Sequence, residues 1–170
     1  RRLQRTPAAS GEFPVTVKAR PAPSAPVTAS SAGVFPVRGA WSFGGPDAGF
    51  GARRNGHTHQ GQDVFAAEHT PLFSPVAGTV SFRSVQPAGA GHYLVIRDTG
   101  GRDYVFMHLV AGSERVDRGD AVRPGQPIGA VGHTGDAQGS HLHFELWPDG
   151  WYAPRSAPVD PLATLTAWAA

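Results

Sequence analysis

Short apolar alternations separated by glycine-rich turns run along the chain from Val34 onward. Three of these alternations are predicted to be β-strands: Tyr93–Arg97, Asp103–Leu109 and Ser140–Trp147. Gly100-Gly101 stands between the first two and is a hairpin-turn signal. Strands spaced this closely, with no long helical period between them, predict a mainly β, compact antiparallel sheet. A short helix is expected only at the end, over Pro161–Trp168.

The alternation is clearest in Ser140–Trp147, and it separates two kinds of side chain. The face predicted to enter the core carries the apolar residues Leu142, Phe144 and Leu146. The opposite face carries the polar residues His141, His143 and Glu145. Two histidines on one strand face can reach a common centre, but a solvated polar face is equally ordinary in an antiparallel sheet.

A further histidine ends the strand predicted over Asp103–Leu109. Strict alternation puts Tyr104, Phe106 and His108 on one face and Val105, Met107 and Leu109 on the other. A lone histidine at the end of an apolar strand is more often structural than catalytic. Only convergence with other polar groups would change that interpretation.

The first part of the chain differs in composition from the rest. Residues 1–33 contain a Pro/Ala/Ser-rich stretch and are predicted to be an extended segment or linker, followed by one domain over residues 34–170. Phe13–Lys18 is either a short edge strand or irregular. The alternative for residues 1–33 is a pro-segment lying across a site, with Glu12 as a candidate ligand; we favour the linker.

The amino-acid composition limits the kinds of functional site that the chain can form. There are no cysteines, which excludes disulfides, thiolate metal sites and thiol nucleophiles, so any metal must be held by nitrogen and oxygen. Charged residues are 16% of the chain and the net charge is +2, without the dense basic face of nucleic-acid binders. No apolar run is long enough to predict a transmembrane segment. The eight histidines are the informative excess.

His57, His59 and Asp63 stand within seven residues of one another. Imidazole nitrogen and carboxylate oxygen are zinc ligands when thiolate is absent. Gly61 disfavours a continuous helix, so this group is expected at a turn and a strand end. A polar loop with incidental histidines is the alternative. His57 is a rival ligand to His59, but we interpret it as a rim residue.

Several motifs together resemble the LytM/lysostaphin-type zinc metallopeptidases of the M23 family. The matching segments are His59–Val64, Pro71–Val80, Ala90–Ile96, Phe106–Leu109, Val116–Val122, Gly125–Gly135, Gly139–Glu145 and Val159–Leu162. The first has the family's HxGxD pattern, and Gly139–Glu145 has its G-x-HLHFE pattern. The resemblance covers about Val34 to Leu165 in order, so it is far more specific than either histidine motif alone.

The resemblance implies an M23-type (duplicated hybrid motif) β fold with long loops around a zinc cleft. It implies Zn²⁺ ligation by His59, Asp63 and His143, with His108 and His141 as catalytic histidines that do not bind the metal. It further implies a secreted, periplasmic or cell-wall-associated endopeptidase, which uses a zinc-bound water as nucleophile to cut peptide bonds in bacterial peptidoglycan.

Two other interpretations of the sequence compete with that of a zinc endopeptidase. A zinc-stabilised module could bind peptidoglycan or activate another hydrolase without cutting, although all five expected site residues are present. A biotinyl or lipoyl carrier domain would explain the glycine turns at 119–129, but it needs a lysine there and Lys18 is the only lysine.

Four aromatic residues are candidates for a substrate groove, with core packing as the ordinary alternative: Trp41, Phe43, Trp147 and Trp151.

Overall fold

A computed structural model describes residues 33–54 and 56–170. The predicted linker, 1–33, lies outside the described residues except for Gly33. The possible strand at Phe13–Lys18 lies outside them entirely. The fold that follows is therefore that of the predicted domain.

Short strands and one C-terminal helix make up the described part. The strands are β1 (Trp41–Ser42), β2 (Gln62–Ala66), β3 (Pro71–Phe73), β4 (Gly78–Gln86), β5 (Gly91–Asp98), β6 (Asp103–Leu109), β7 (Ala121–Val122), β8 (Pro127–Ala130) and β9 (His141–Trp147). The helix α1 spans Leu162–Ala169, close to its predicted position, and a 3-10 turn spans Pro46–Ala48.

Seven strands form a large sheet in the order β1-β2-β9-β6-β5-β4-β7, and β3 pairs with β8 in a second, small sheet. Every pairing between these strands is antiparallel. The predicted hairpin is present, because β5 and β6 pair up to Arg97 and Asp103 around the Gly100-Gly101 turn. Gly101 has a φ of 88°, which glycine adopts without strain. The mainly β, antiparallel fold class is confirmed.

Apolar clusters cover both faces of the central strands. The larger one includes Leu142 and Phe144, which are completely buried, as the alternation predicts. The smaller one consists of Val95, Val105 and Trp147 on the other face. On β9 this second face also carries the polar side chains, and the whole strand is buried. The histidine face is therefore not a solvated surface.

Strict alternation is wrong at the end of β6. Leu109 packs in the larger cluster together with Phe106, whereas His108 turns away from that cluster and lines a cleft. The register explains the change: Leu94 pairs with Phe106 and His92 with Leu109, so two steps on β5 face three on β6. This bulge adds one residue and reverses the faces beyond it. His108 takes a left-handed φ of 65° at that point.

Candidate metal centre and catalytic cleft

Three side chains converge on one point beside β9. The distance from His59 Nε2 is 3.0 Å to Asp63 Oδ1 and 2.9 Å to His143 Nδ1, and the last two atoms are 2.9 Å apart. Asp63 on β2 is the direct cross-strand partner of His143 on β9. His59 precedes β2 in a loop held by backbone hydrogen bonds to Gly51 and Ala52, each 2.8 Å long. The three residues are those that the family resemblance implies as ligands.

Hydrogen bonds on the far side of each imidazole fix its tautomer. Nδ1–H of His59 donates to the carbonyl oxygen of Gly49 at 2.8 Å. Nε2–H of His143 donates to Glu145 Oε1 at 3.1 Å, and Trp147 Nε1–H donates to the other oxygen of Glu145 at 2.6 Å. When each ring is neutral, its remaining nitrogen therefore turns a lone pair towards the Asp63 carboxylate. Three electron pairs facing one another require a cation between them.

The pKa shifts of Asp63 and His143 in the zinc-free site also indicate that positive charge is favoured between these side chains. Burial opposes ionisation of Asp63, but hydrogen bonds from His143 and His59 hold the pKa of that carboxyl well below its usual range. Burial would lower the pKa of His143, but its hydrogen bonds to Asp63 and Glu145 raise that pKa to about 9. Asp63 and Glu145 thus both favour positive charge on His143, which a proton supplies when no metal is bound.

The donor set fits zinc. Two imidazole nitrogens and one carboxylate oxygen are ordinary zinc ligands, and sites with three protein ligands are typically catalytic, since they leave a coordination position open. Among the described residues, the group able to hold a metal ion is His59, Asp63 and His143.

Two outer contacts of Asp63 were not recognised in the sequence. Arg54 Nη2 donates to Asp63 Oδ2 at 3.2 Å, which leaves Oδ1 for the convergence point. The buried amide of Gln62 donates to the backbone carbonyls of Phe43 and Asp63, at 3.0 and 2.9 Å. Neither residue type is distinctive without the fold. Glu145, by contrast, was visible as the third polar residue of its strand face.

His108 and His141 lie beside the metal ligands, with ring centroids 4.8 Å apart. Nδ1–H of His108 donates to the carbonyl of Thr134 at 2.8 Å, and Nδ1–H of His141 donates to that of Gly139 at 3.0 Å. Each Nε2 therefore carries a lone pair. His141 Nε2 is 3.6 Å from Asp63 Oδ1.

Burial controls the charge of both rings. It lowers the pKa of His108 to about 4, with a further lowering from the neighbouring His141. Burial also lowers the pKa of His141, and the Asp63 carboxylate partly opposes this shift. Both rings are consequently neutral proton acceptors in the zinc-free protein near pH 7.

All five predicted site residues line one open cleft of about 1100 Å³. Loops form its edges, including the 3-10 turn, the β4–β5 turn and the segment after β9. His57 is exposed and also lines the cleft, and it is not part of the group able to hold a metal ion. Trp151 also lines it, whereas Trp41 and Phe43 pack against the larger cluster and Trp147 belongs to the smaller one.

The remaining histidines stand elsewhere. His133 pairs with Glu68 at 3.0 Å and His92 with Glu114 at 2.8 Å, while His69 is exposed.

The antiparallel sheet carries a group of two histidines and one carboxylate that is flanked by two neutral histidines, a donor set typical of catalytic zinc centres. The sequence pattern of peptidase family M23 matches residues 57–161, which are more than half of the chain. The chain belongs to peptidase family M23. The expected family and its zinc cofactor are confirmed, while the roles of individual residues stay predictions.

Named relatives agree with this assignment. The L-Ala–D-Glu endopeptidase of Bacillus subtilis is 32% identical over 144 residues, covering 79% of this chain and 42% of that protein. The catalytic domain of lysostaphin from Staphylococcus simulans has a TM-score of 0.63 at 29% identity, covering 69% of this chain and 89% of that one. A zinc-containing peptidase from Vibrio cholerae has a TM-score of 0.62 at 30% identity, covering 82% of this chain and 40% of that one.

The chain spans less than half of the length of the curated relatives it matches. Within the described residues, no helix has the length and apolar character needed to cross a bilayer.

Proposed function

We propose that this domain is a zinc-dependent endopeptidase that hydrolyses peptide bonds of bacterial peptidoglycan, in the stem or the cross-bridge. One observation carries the proposal: three lone pairs converge in an open cleft beside two neutral histidines whose Nε2 atoms are free to accept protons. Family membership and the names of the relatives support the reaction and the substrate class. Such a substrate places the protein outside the cytoplasm.

His59, Asp63 and His143 hold the metal in this proposal. Zinc, when bound, polarises a carbonyl oxygen and lowers the pKa of water to about 7. Arg54 and Glu145 keep the ligand atoms in place, since each engages the side of a ligand that faces away from the centre.

His141 is the general base. Its Nε2 carries a lone pair and lies 3.6 Å from a ligand oxygen, so a proton acceptor stands directly beside the metal centre. The Asp63 carboxylate favours the imidazolium that results. This imidazolium then donates the proton to the leaving amine. Such proton transfers by a positioned group contribute about 10²–10⁴-fold to rate.

His108 stabilises the tetrahedral intermediate. Its Nδ1–H is committed to Thr134, so Nε2 carries a lone pair. This lone pair accepts a hydrogen bond from the hydroxyl group that the attacking water leaves on the tetrahedral carbon.

The test compares the wild-type chain with His141→Ala on purified peptidoglycan. We expect one zinc per chain in both proteins and release of new amino groups by the wild type alone. Zinc in both, with no amino groups released from walls of any cross-link type, would instead support the non-catalytic binding module.

A further inference from the structure

The backbone at His108 is held in a conformation that non-glycine residues seldom adopt. Its φ is 65°, and the bulge at this point turns its ring into the cleft. The backbone N–H of His108 donates to the carbonyl of Ala90 at 2.8 Å.

Thr134 makes three hydrogen bonds around the bulge at His108. Its hydroxyl donates to the carbonyl of Leu109 at 2.7 Å, directly after the strained residue. The same hydroxyl accepts the backbone N–H of His92 at 2.9 Å, on the strand opposite the bulge. Its own carbonyl accepts Nδ1–H of His108. Thr134 therefore contacts the ring, the next peptide and the facing strand.

Two glycines allow this loop to approach so closely. A Cβ on Gly91 would lie 2.3 Å from the carbonyl oxygen of Thr134, and one on Gly135 would lie 2.2 Å from the carbonyl oxygen of Gly89. Both have positive φ, 63° and 77°. The backbone N–H of Asp136 donates to Gly89 at 2.8 Å and closes the contact. The position of Thr134 is thus set by backbone packing.

We propose that Thr134 is a positioning residue: its hydroxyl holds the bulge and its carbonyl fixes the His108 tautomer that leaves Nε2 as the proton acceptor. This inference rests on the proposed catalytic role of His108. The hydroxyl is the decisive group, because it bridges the two peptides whose offset creates the bulge. A side chain of equal size without it leaves the Leu109 carbonyl and the His92 N–H unpaired.

The experiment compares Thr134→Val, which keeps the volume, with Thr134→Ser, which keeps the hydroxyl. Exposed Thr79 on β4 provides the matched control, Thr79→Val. Ring-nitrogen NMR of the zinc-loaded proteins reports the tautomer of His108, whose signals are assigned by their loss in His108→Gln. Zinc content, kcat and KM on a soluble peptidoglycan fragment are measured in parallel.

We expect His108 of the wild type to carry its proton on Nδ1. Thr134→Val should retain one zinc, lose this single tautomer and lower kcat by about 10²-fold, with KM changed by less than about threefold. Thr134→Ser should restore both the tautomer and kcat, and Thr79→Val should change neither.

A wild-type His108 protonated on Nε2 would overturn the inference without any variant, even if Thr134→Val fails to fold. The inference would also be overturned by a folded Thr134→Val protein with unchanged tautomer and kcat. A Thr134→Ser protein as impaired as Thr134→Val would overturn it as well. If His108→Gln retains wild-type kcat while the tautomer still depends on Thr134, the failure lies in the proposed role of His108 and not in the positioning.

Discussion

His143 Nδ1 and Asp63 Oδ1 lie 2.9 Å apart although 80 positions separate them in the chain. They are direct cross-strand partners in the pairing of β2 with β9. Because side chains alternate along a strand, a slip of one residue in this pairing would turn one of them to the opposite face. The metal centre therefore depends on strand register as much as on ligand identity.

Substitutions should separate metal binding from chemistry. Asp63→Asn and His143→Gln are expected to abolish stoichiometric zinc binding and activity together, since the first removes the carboxylate charge and the second removes the imidazole nitrogen that zinc prefers. His108→Gln and His141→Gln should keep one zinc per chain and lower kcat by about 10²–10⁴-fold. Metal analysis beside a cleavage assay checks this. Loss of zinc from either of the latter variants would contradict the assignment.

Zinc binding should release a proton from His143. Hydrogen bonds raise the pKa of this ring to about 9 in the zinc-free protein, so it is protonated at pH 7.5 and must lose that proton to bind metal. Apparent zinc affinity should rise about tenfold per pH unit up to about pH 9 and then level off. Calorimetry at pH 7.5 in two buffers of different ionisation enthalpy measures the release; equal heats in both would count against it.

The zinc-free protein should lose stability in mild acid through His108. Burial lowers its folded pKa to about 4, below the unfolded value of about 6.5, so between these values the unfolded chain binds the extra proton. This stability is fully present above pH 6.5 and is lost as pH falls to about 4, amounting to about 3 kcal/mol. Denaturant unfolding of wild type and His108→Gln over this range isolates the effect. Parallel pH dependences would refute it.

Glu145→Gln should weaken zinc binding by about 10–100-fold without unfolding the protein, since it removes the charge behind the ligand His143 and keeps the shape. Glu68→Gln makes the same chemical change at a surface pair with His133 and should leave zinc affinity unaltered. Competition with a zinc chelator gives both affinities. Equal affinities in the two variants would remove Glu145 from the metal centre.

Much of this organisation follows from the sequence by local physics. The Gly100-Gly101 turn, the apolar face of β9 and the C-terminal helix are local patterns, and each appears where it was predicted. The five site residues were also recognisable, because their motifs resemble those of the M23 family and follow in the same order along the chain. Their convergence was an inference from the family resemblance, since no single strand brings them together.

Other features were decided only by the tertiary structure. The polar face of β9 is buried because the cleft loops and the smaller cluster cover it, which alternation cannot distinguish from a solvated face. His108 points into the cleft because a bulge reverses the faces at the end of β6, against the alternation of its own sequence. Arg54 and Thr134 acquire their partners through contacts with distant segments. Alternation is a property of one strand, whereas bulges, burial and partner choice arise from the strands and loops packed against it.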